Sequence, residues 1–181
     1  MYIKIKVAAS YQLVQDIQDG ELDLICCMRS PAAHVSDMQR RTIRRGSFVC
    51  LVPGEYPLAK KKELTPADIA GTPWVFRNSK DCTPVILRMQ QKLKDMYPDN
   101  PILYSSSPEE SALMVRGGFG ISVVASYSVS QNREYQRIPF IIPSLDAGQE
   151  VDLIALWNGA NAPAAVTDLV QILCEEEQKN I

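Results

Sequence analysis

The chain has 181 residues, of which 46% are hydrophobic and 22% charged, a globular composition that excludes disordered and fibrous classes of protein. Its formal net charge is −2, whereas a domain that neutralises DNA phosphates usually carries a basic excess, so any nucleic-acid function is expected elsewhere. Five cysteines at irregular spacing and a single histidine, His34, argue against a disulfide framework, a zinc site and histidine-dependent catalysis.

The predicted elements alternate between strand and helix. Residues 2–7 alternate apolar and polar side chains, which predicts a strand. Ser10 can cap the helix that follows, and Gly20 marks its end. Residues 22–28 are a near-continuous apolar run, which is typical of a strand buried on both faces. Further strands are predicted at 47–52, 74–76, 102–104, 120–124, 138–142 and 151–157.

The helical signals are equally regular. A capping hydroxyl followed by proline predicts a short turn at 65–68, and Ser107 opens a capping box for a helix that ends at Gly117. Longer helices are predicted at 83–97 and 163–177, each with apolar residues along one side. Serial βα units predict an α/β fold with largely parallel sheets. Linkers near 71–73 and 143–148 suggest two lobes joined by two crossings.

Several segments, taken in chain order, resemble the sequence pattern of one protein family. GELDLI at 20–25 is similar to the family's helix end and following strand. FVCLVPGEYPLAKKKELTPADIAGTPWV at 48–75 resembles its strand, turn and next strand, with Tyr56 where many members have histidine. MVRGGFGISVVASY at 114–127 resembles the helix-to-strand passage "V..G.GI.vlP". The last strand and helix also match the family's ending, so the chain resembles the effector-binding domain of LysR-type transcriptional regulators.

The resemblance implies a two-lobed, periplasmic-binding-protein-like fold with a ligand cleft between the lobes. One lobe would comprise 1–73 and 143–181, and the other 74–142. It also implies a homodimer or tetramer, with the strand at 2–7 a candidate contact. Family members begin with a winged helix-turn-helix, and their sensing domain opens with a strand and a long helix that this chain lacks. DNA would therefore be bound only through a domain absent from this chain.

Physical reasoning places candidate ligand-binding residues at the starts of two helices in the second lobe. Helix N-termini present N–H groups and a partial positive charge, and nearby hydroxyls add donors, so a small carboxylate is favoured where no buried negative charge opposes it. For the hydroxyls the alternative is simple helix capping, and for the arginine it is a solvated charge. The candidates are Arg77, Ser79, Thr83, Ser105, Ser106 and Ser107.

Further candidates lie outside these helix starts. In the first lobe, Arg29 and Ser30 follow the strand 22–28 and could bind an anionic ligand, although a surface loop is the alternative. Phe119 could lie at the cleft edge or pack internally. The arginines at 40–45 could touch DNA phosphates in a parent protein, but a solvated face is favoured. Cys26 and Cys27 should point to opposite faces of their strand, with packing favoured over redox sensing.

The function favoured by these observations is sensing of a small anionic effector, without catalysis and without a cofactor or metal. A free-standing solute-binding protein of the same fold is the alternative, and an enzyme on a two-lobed scaffold is a third. The apolar stretches are shorter than the ~20 residues of a membrane helix. Lys4 and Lys6 interrupt any signal-peptide pattern, so a cytoplasmic location away from membranes is expected.

Overall fold

A computed structural model describes residues 3–143, 145, 148–160 and 162–179. Internal contacts divide them into two compact units. Unit 1 combines the chain up to Arg45 with the chain from Asp152, and unit 2 is Gly46–Val151. In chain order the elements are α1 (Ser10–Gln18), β1 (Leu24–Met28), α2 (Arg29–Ala32), β2 (Gln39–Arg44), β3 (Phe48–Pro53), β4 (Trp74–Arg77), α3 (Pro84–Met96), β5 (Ile102–Ser105), α4 (Pro108–Arg116), β6 (Ser122–Ala125), β7 (Tyr135–Pro139), β8 (Leu153–Trp157) and α5 (Ala164–Lys179). Short 3-10 turns occupy Pro57–Lys60, Pro66–Ile69 and Ser79–Asp81.

Unit 1 is built on an antiparallel sheet in the order β1-β8-β2. Helices cover both of its faces, because alternate residues of each strand point to opposite sides. One face carries a core shared with α1 and α2, formed by Ile17, Ile25, Cys27, Ala32, Val35, Ile154 and Leu156. The other face packs against α5 through Ala155, Val166, Val170 and Cys174.

Unit 2 contains an antiparallel sheet in the order β6-β3-β7 and a parallel pair, β4-β5. All six residues of β3 are buried. A core around β3 and α4 comprises Val49, Leu51, Ala112, Val115, Val124, Val129 and Tyr135. A parallel bridge between Trp74 and Ile121 connects β4 to the segment that leads into β6.

The two ends of unit 2 lie against each other. A Cβ atom added to Gly46 would lie 2.2 Å from the carbonyl oxygen of Val151, so only glycine permits this approach of two backbones. The hydroxyl of Tyr127 donates to the same carbonyl at 2.6 Å. The first and last residues of unit 2 are therefore joined by direct contacts.

The α/β class is confirmed, but the strand pairing differs from the sequence prediction. The largest ladders, β1-β8, β2-β8, β3-β6 and β3-β7, are antiparallel, and among the described strands β4-β5 is the one parallel pair. The lobe limits predicted at 73 and 143 also differ from the unit boundaries. Residues 46–73 and 143–151 lie in unit 2, where β3 pairs with β6 and β7.

The predicted strand at 2–7 does not form over residues 3–7, while Tyr2 lies outside the described residues. Ile3, Ile5 and Val7 are 60%, 83% and 94% exposed. A strand needs a neighbour for its backbone hydrogen bonds, and no other described strand lies beside this segment. Helix α1 forms, but Ser10 is its first residue and not its cap, because Ala9 takes the capping position and no side-chain capping hydrogen bond is made there.

Candidate ligand site

The carboxyl ends of β4 and β5 lie side by side in unit 2. Arg77 and Ser105 are partners in the parallel register, and the N–H of Asn78 donates to the carbonyl of Ser105 at 2.9 Å. Helix α3 starts after β4, and helix α4 starts after β5. The fold therefore gathers two helix N-termini at the edge of the sheet where ligands of α/β proteins usually bind.

The start of α3 differs from that of α4 in its capping position. Its capping residue, Thr83, has an extended backbone and makes no side-chain capping hydrogen bond. Pro84 has no N–H, so the first-turn donors are those of Val85 and Ile86, which precede the first intrahelical bond, from Leu87 to Thr83. Ser79 is exposed in the turn between β4 and α3. These groups could donate hydrogen bonds to an anion.

Arg77 is fixed in place at the end of β4. Its Nη2 donates to the carbonyl of Ser106 at 3.0 Å. The buried amide of Gln90 accepts from the Arg77 N–H at 3.2 Å and donates to the Arg77 carbonyl at 3.0 Å. Sequence reasoning missed Gln90. A polar residue beside Met89 and about one turn before Leu93, on the apolar side of α3, could have indicated it.

The three serines after β5 take different positions. Ser105 is 1% exposed, and its hydroxyl donates to the carbonyl of Phe76 at 3.2 Å and lies 2.6 Å from the hydroxyl of Ser111. Ser107 caps α4, accepting from the N–H of Glu110 at 3.0 Å. Ser106 is exposed and donates both its N–H, at 2.7 Å, and its hydroxyl to the Glu110 carboxylate. The start of α4 is thus served by the protein's own side chains.

Glu110 brings a negative charge that the sequence reasoning did not place here. The carboxylate is half-buried, and hydrogen bonds from Ser106 hold its pKa below the usual range, with a smaller contribution from the positive charge of Arg77. The group is therefore ionised at neutral pH, close to Arg77. Any anionic ligand at Arg77 would have to bind against this charge.

Arg29 and Ser30 lie together in unit 1, after β1. The Nη2 of Arg29 donates to the hydroxyl of Thr42 at 2.6 Å and lies 4.0 Å from a carboxylate oxygen of Asp152, a residue that is only 5% exposed. Its backbone N–H donates to the Asp152 carbonyl at 2.8 Å. Ser30 is 6% exposed. The charge of Arg29 is thus partly neutralised inside unit 1.

Phe119 is not brought to the ends of β4 and β5. It follows α4, a helix of nine residues and therefore about 13 Å long, so it lies at the opposite end of α4 from Ser107. Its neighbour Ile121 pairs with Trp74, at the amino end of β4. Phe119 is 60% exposed.

Three further features of the described residues concern metals, membranes and thiols. No group of three potential metal ligands occurs among the described residues, and no helix in that part of the chain could span a membrane. Cys26 is exposed and Cys27 buried, which confirms the prediction of opposite faces. Burial raises the pKa of Cys27 to about 12, so this thiol stays protonated.

Comparison with known proteins gives a consistent family. A model of the LysR substrate binding domain matches residues 2–178. The regulatory domain of CcmR from Synechocystis PCC6803, solved with 2-PG, superposes with a TM-score of 0.72 at 17% identity over 97% of this chain and 83% of that one. HinK, a LysR family transcriptional regulator from Pseudomonas aeruginosa, superposes with a TM-score of 0.70 at 18% identity, over 96% of this chain and 59% of HinK. The effector-binding domain of BenM, solved with its effector benzoate, superposes with a TM-score of 0.69 at 13% identity, over 96% of this chain and 77% of that one. No curated protein sequence matches significantly.

Proposed function

The chain belongs to the LysR substrate-binding domain family, and from this we propose that it senses a small anionic effector bound at the start of α3. The residues proposed to bind it are Arg77, Ser79 and Thr83, together with the first N–H groups of α3. The sequence prediction that Arg29, Ser30 and Phe119 contact the same ligand stays a prediction. We propose binding without catalysis, by a cytoplasmic protein.

One observation carries the proposal, the contrast between the two helix starts. At α4, the hydroxyl of Ser107 accepts from the first-turn N–H of Glu110, and the carboxylate of Glu110 accepts from the N–H of Ser106. At α3 there is no side-chain capping bond, Ser79 is exposed, and Arg77 is fixed nearby by Gln90. A helix N-terminus carries about half a positive charge, and Arg77 adds a charge that the carboxylate of Glu110 partly offsets. The start of α3 therefore favours an anion more than that of α4 does.

Relatives supply independent support for the class of ligand. BenM was solved with its effector benzoate, a carboxylate, and the CcmR domain with 2-PG. A small carboxylate would satisfy the donors at the start of α3 with two oxygens. In the parent regulator, binding would bias the arrangement of a homodimer or tetramer whose DNA-binding domains lie outside this chain.

The proposal is tested by a thermal-shift screen of small organic acids followed by calorimetry on the hits. Charge-assisted hydrogen bonds contribute about 1.5–3 kcal/mol each, so Arg77→Ala should weaken binding roughly tenfold or more. Ser79→Ala combined with Thr83→Ala should also weaken it. Arg88→Ala is the matched control, because Arg88 lies on α3 in an exposed ion pair with Glu150.

Two results would oppose the proposal. Hits that bind the Arg77→Ala and Ser79→Ala/Thr83→Ala variants as tightly as the parent would show that the ligand binds elsewhere. Equal weakening by Arg88→Ala would point to a general charge effect instead of a site. Turnover of any hit by the parent chain would contradict binding without catalysis.

A further inference from the structure

The two sides of β4 are hydrogen-bonded to different neighbours. Toward β5, the N–H of Asn78 donates to the carbonyl of Ser105. On the other side, the N–H of Val75 donates to the carbonyl of Ile121 at 2.7 Å, and the carbonyl of Val75 accepts from the hydroxyl of Ser122 at 2.7 Å. Successive residues of a strand direct their N–H and C=O groups to opposite sides. The next residue of β4 that faces the β6 side is therefore the second one after Val75.

That residue is Arg77, and a side chain takes the place of a strand beside it. Among the described residues, the ladder between β4 and the segment leading into β6 is the single bridge of Trp74 and Ile121, so it does not extend to Arg77. Instead, Oε1 of Gln90 accepts from the Arg77 N–H at 3.2 Å, and Nε2 of Gln90 donates to the Arg77 carbonyl at 3.0 Å. A side-chain amide offers an acceptor and a donor, as a peptide group does. Gln90 thus makes the pair of bonds that a neighbouring strand would make.

The burial of Gln90 makes these bonds necessary. Gln90 is 5% exposed and lies among the buried apolar residues of α3. A buried amide is unfavourable unless its polar atoms are hydrogen-bonded. Its Oε1 also accepts from the thiol of Cys82, with a distance of 3.4 Å between the two atoms. One side chain therefore connects the end of β4 with the turn that precedes α3.

We propose that Gln90 is a positioning residue, whose amide replaces a strand neighbour and fixes Arg77 and the turn at 78–83 for an anion at the start of α3. The inference rests on the proposed function for what binds there. Gln90 needs no contact with the anion, because it acts through the backbone of Arg77. Its hold on that backbone can be measured without any ligand.

The first test is amide hydrogen exchange, followed by NMR on the full chain. Gln90→Met removes the amide group, so exchange at the Arg77 N–H should become roughly tenfold faster, as expected for the loss of about one hydrogen bond. The N–H of Val75, on the same strand, is the internal reference and should change much less, because only a global loss of stability accelerates both. Gln91→Met is the matched control, since Gln91 is exposed and bonds only to Asp95.

A second variant keeps this test valid if Gln90→Met folds poorly. Gln90→Asn keeps an amide in the polar environment but is one methylene shorter, so it should not reach both backbone groups of Arg77. Exchange at the Arg77 N–H should again accelerate more than exchange at Val75.

The second test uses acetate, the simplest carboxylate, as the probe of the anion site. In the parent, acetate should shift the amide resonances of Val85 and Ile86, the first donors of α3. Gln90→Met should weaken this binding several-fold, and Gln91→Met should not. Because Gln90 acts through Arg77, adding Gln90→Met to Arg77→Ala should weaken binding little further.

The possible results separate this inference from the proposed function. Equal acceleration at Arg77 and Val75 would make Gln90 a contributor to global stability only, and unchanged exchange at Arg77 would make its amide dispensable; either result overturns the inference. Additive losses in Gln90→Met and Arg77→Ala would also overturn it. A parent that does not respond to acetate would oppose the proposed function, while faster exchange at Arg77 alone would still support the hold of Gln90 on β4.

Discussion

At the scale of single residues, three consecutive serines show how position decides the role of a hydroxyl. Ser105 ends a strand and is buried, so its hydroxyl bonds inside the protein. Ser107 precedes the first turn of a helix, so it caps that turn. Ser106 lies between them, exposed, and binds Glu110. Sequence alone placed all three at a helix start but could not separate them, because the partners of Ser105, Phe76 and Ser111, come from β4 and α4.

Glu110 gives a residue-scale prediction about ligand affinity. Glu110→Gln removes a negative charge near Arg77 and weakens the hold on Ser106, so an organic acid that binds at the start of α3 should bind several-fold more tightly. Calorimetry at low ionic strength measures the change, since salt screens it. Glu109→Gln, on the exposed side of the same turn, is the control and should have little effect. Weaker binding in Glu110→Gln would contradict this prediction.

At the scale of elements, the sequence predicted best where the signal is local. The short turn predicted at 65–68 forms, and it contains a capping box in which the N–H and the hydroxyl of Thr65 both donate to Asp68 at 2.8 Å. The predictions of a strand at 2–7 and of largely parallel sheets were wrong, because strand pairing depends on which neighbours are present. Strand β2 was missed because Gln39–Arg44 is rich in arginine, and its pairing with β8 is a long-range contact.

The capping box supports a prediction about stability. Asp68→Ala should lower the free energy of unfolding by about 1 kcal/mol at pH 7, a typical cost of losing a cap. The Lys61 ammonium and the Thr65 donors lower the pKa of Asp68 from 3.8 to about 2. The folded state thus favours the ionised form, whose stabilisation is complete above pH 4 and is lost as the pH falls toward 2.

Urea denaturation at several pH values measures this difference. The gap between the parent and Asp68→Ala should stay constant from pH 7 to about 5 and shrink as the solution becomes more acidic. Glu63→Ala, an exposed neighbour, is the control and should change stability little. A gap that widens in acid would show that the carboxylate is not stabilised by folding.

At the scale of the whole molecule, charge argues against DNA binding by this chain. The net charge is −2, and the arginines of β2 are partly engaged inside unit 1. Arg40 donates to the carbonyl of Val35 at 2.6 Å and to that of Ala32 at 3.5 Å. It therefore ties the chain after α2 to β2, a structural role that sequence reasoning did not foresee.

We expect the chain to show no appreciable binding to duplex DNA at physiological salt. Fluorescence anisotropy with a labelled duplex, measured at low and at physiological salt, is the direct measurement. A steep salt dependence with binding in the micromolar range would contradict the expectation, because it would reveal a phosphate-binding surface. Loss of that binding on Arg41→Ala would assign the surface to β2.

The contact between Gly46 and Val151 has a consequence for how the chain is organised. Because the two ends of unit 2 meet, unit 2 begins and ends at nearly the same point. In the chain of unit 1 it therefore replaces a short loop between Arg45 and Asp152. The entropic cost of closing a loop grows only slowly with the length of the loop, so an insert of this size lowers the stability of its host domain little. Unit 2 has the geometry of a domain inserted into a host domain. Insertions or deletions within unit 2 would leave its connections to unit 1, at Arg45 and Asp152, unchanged.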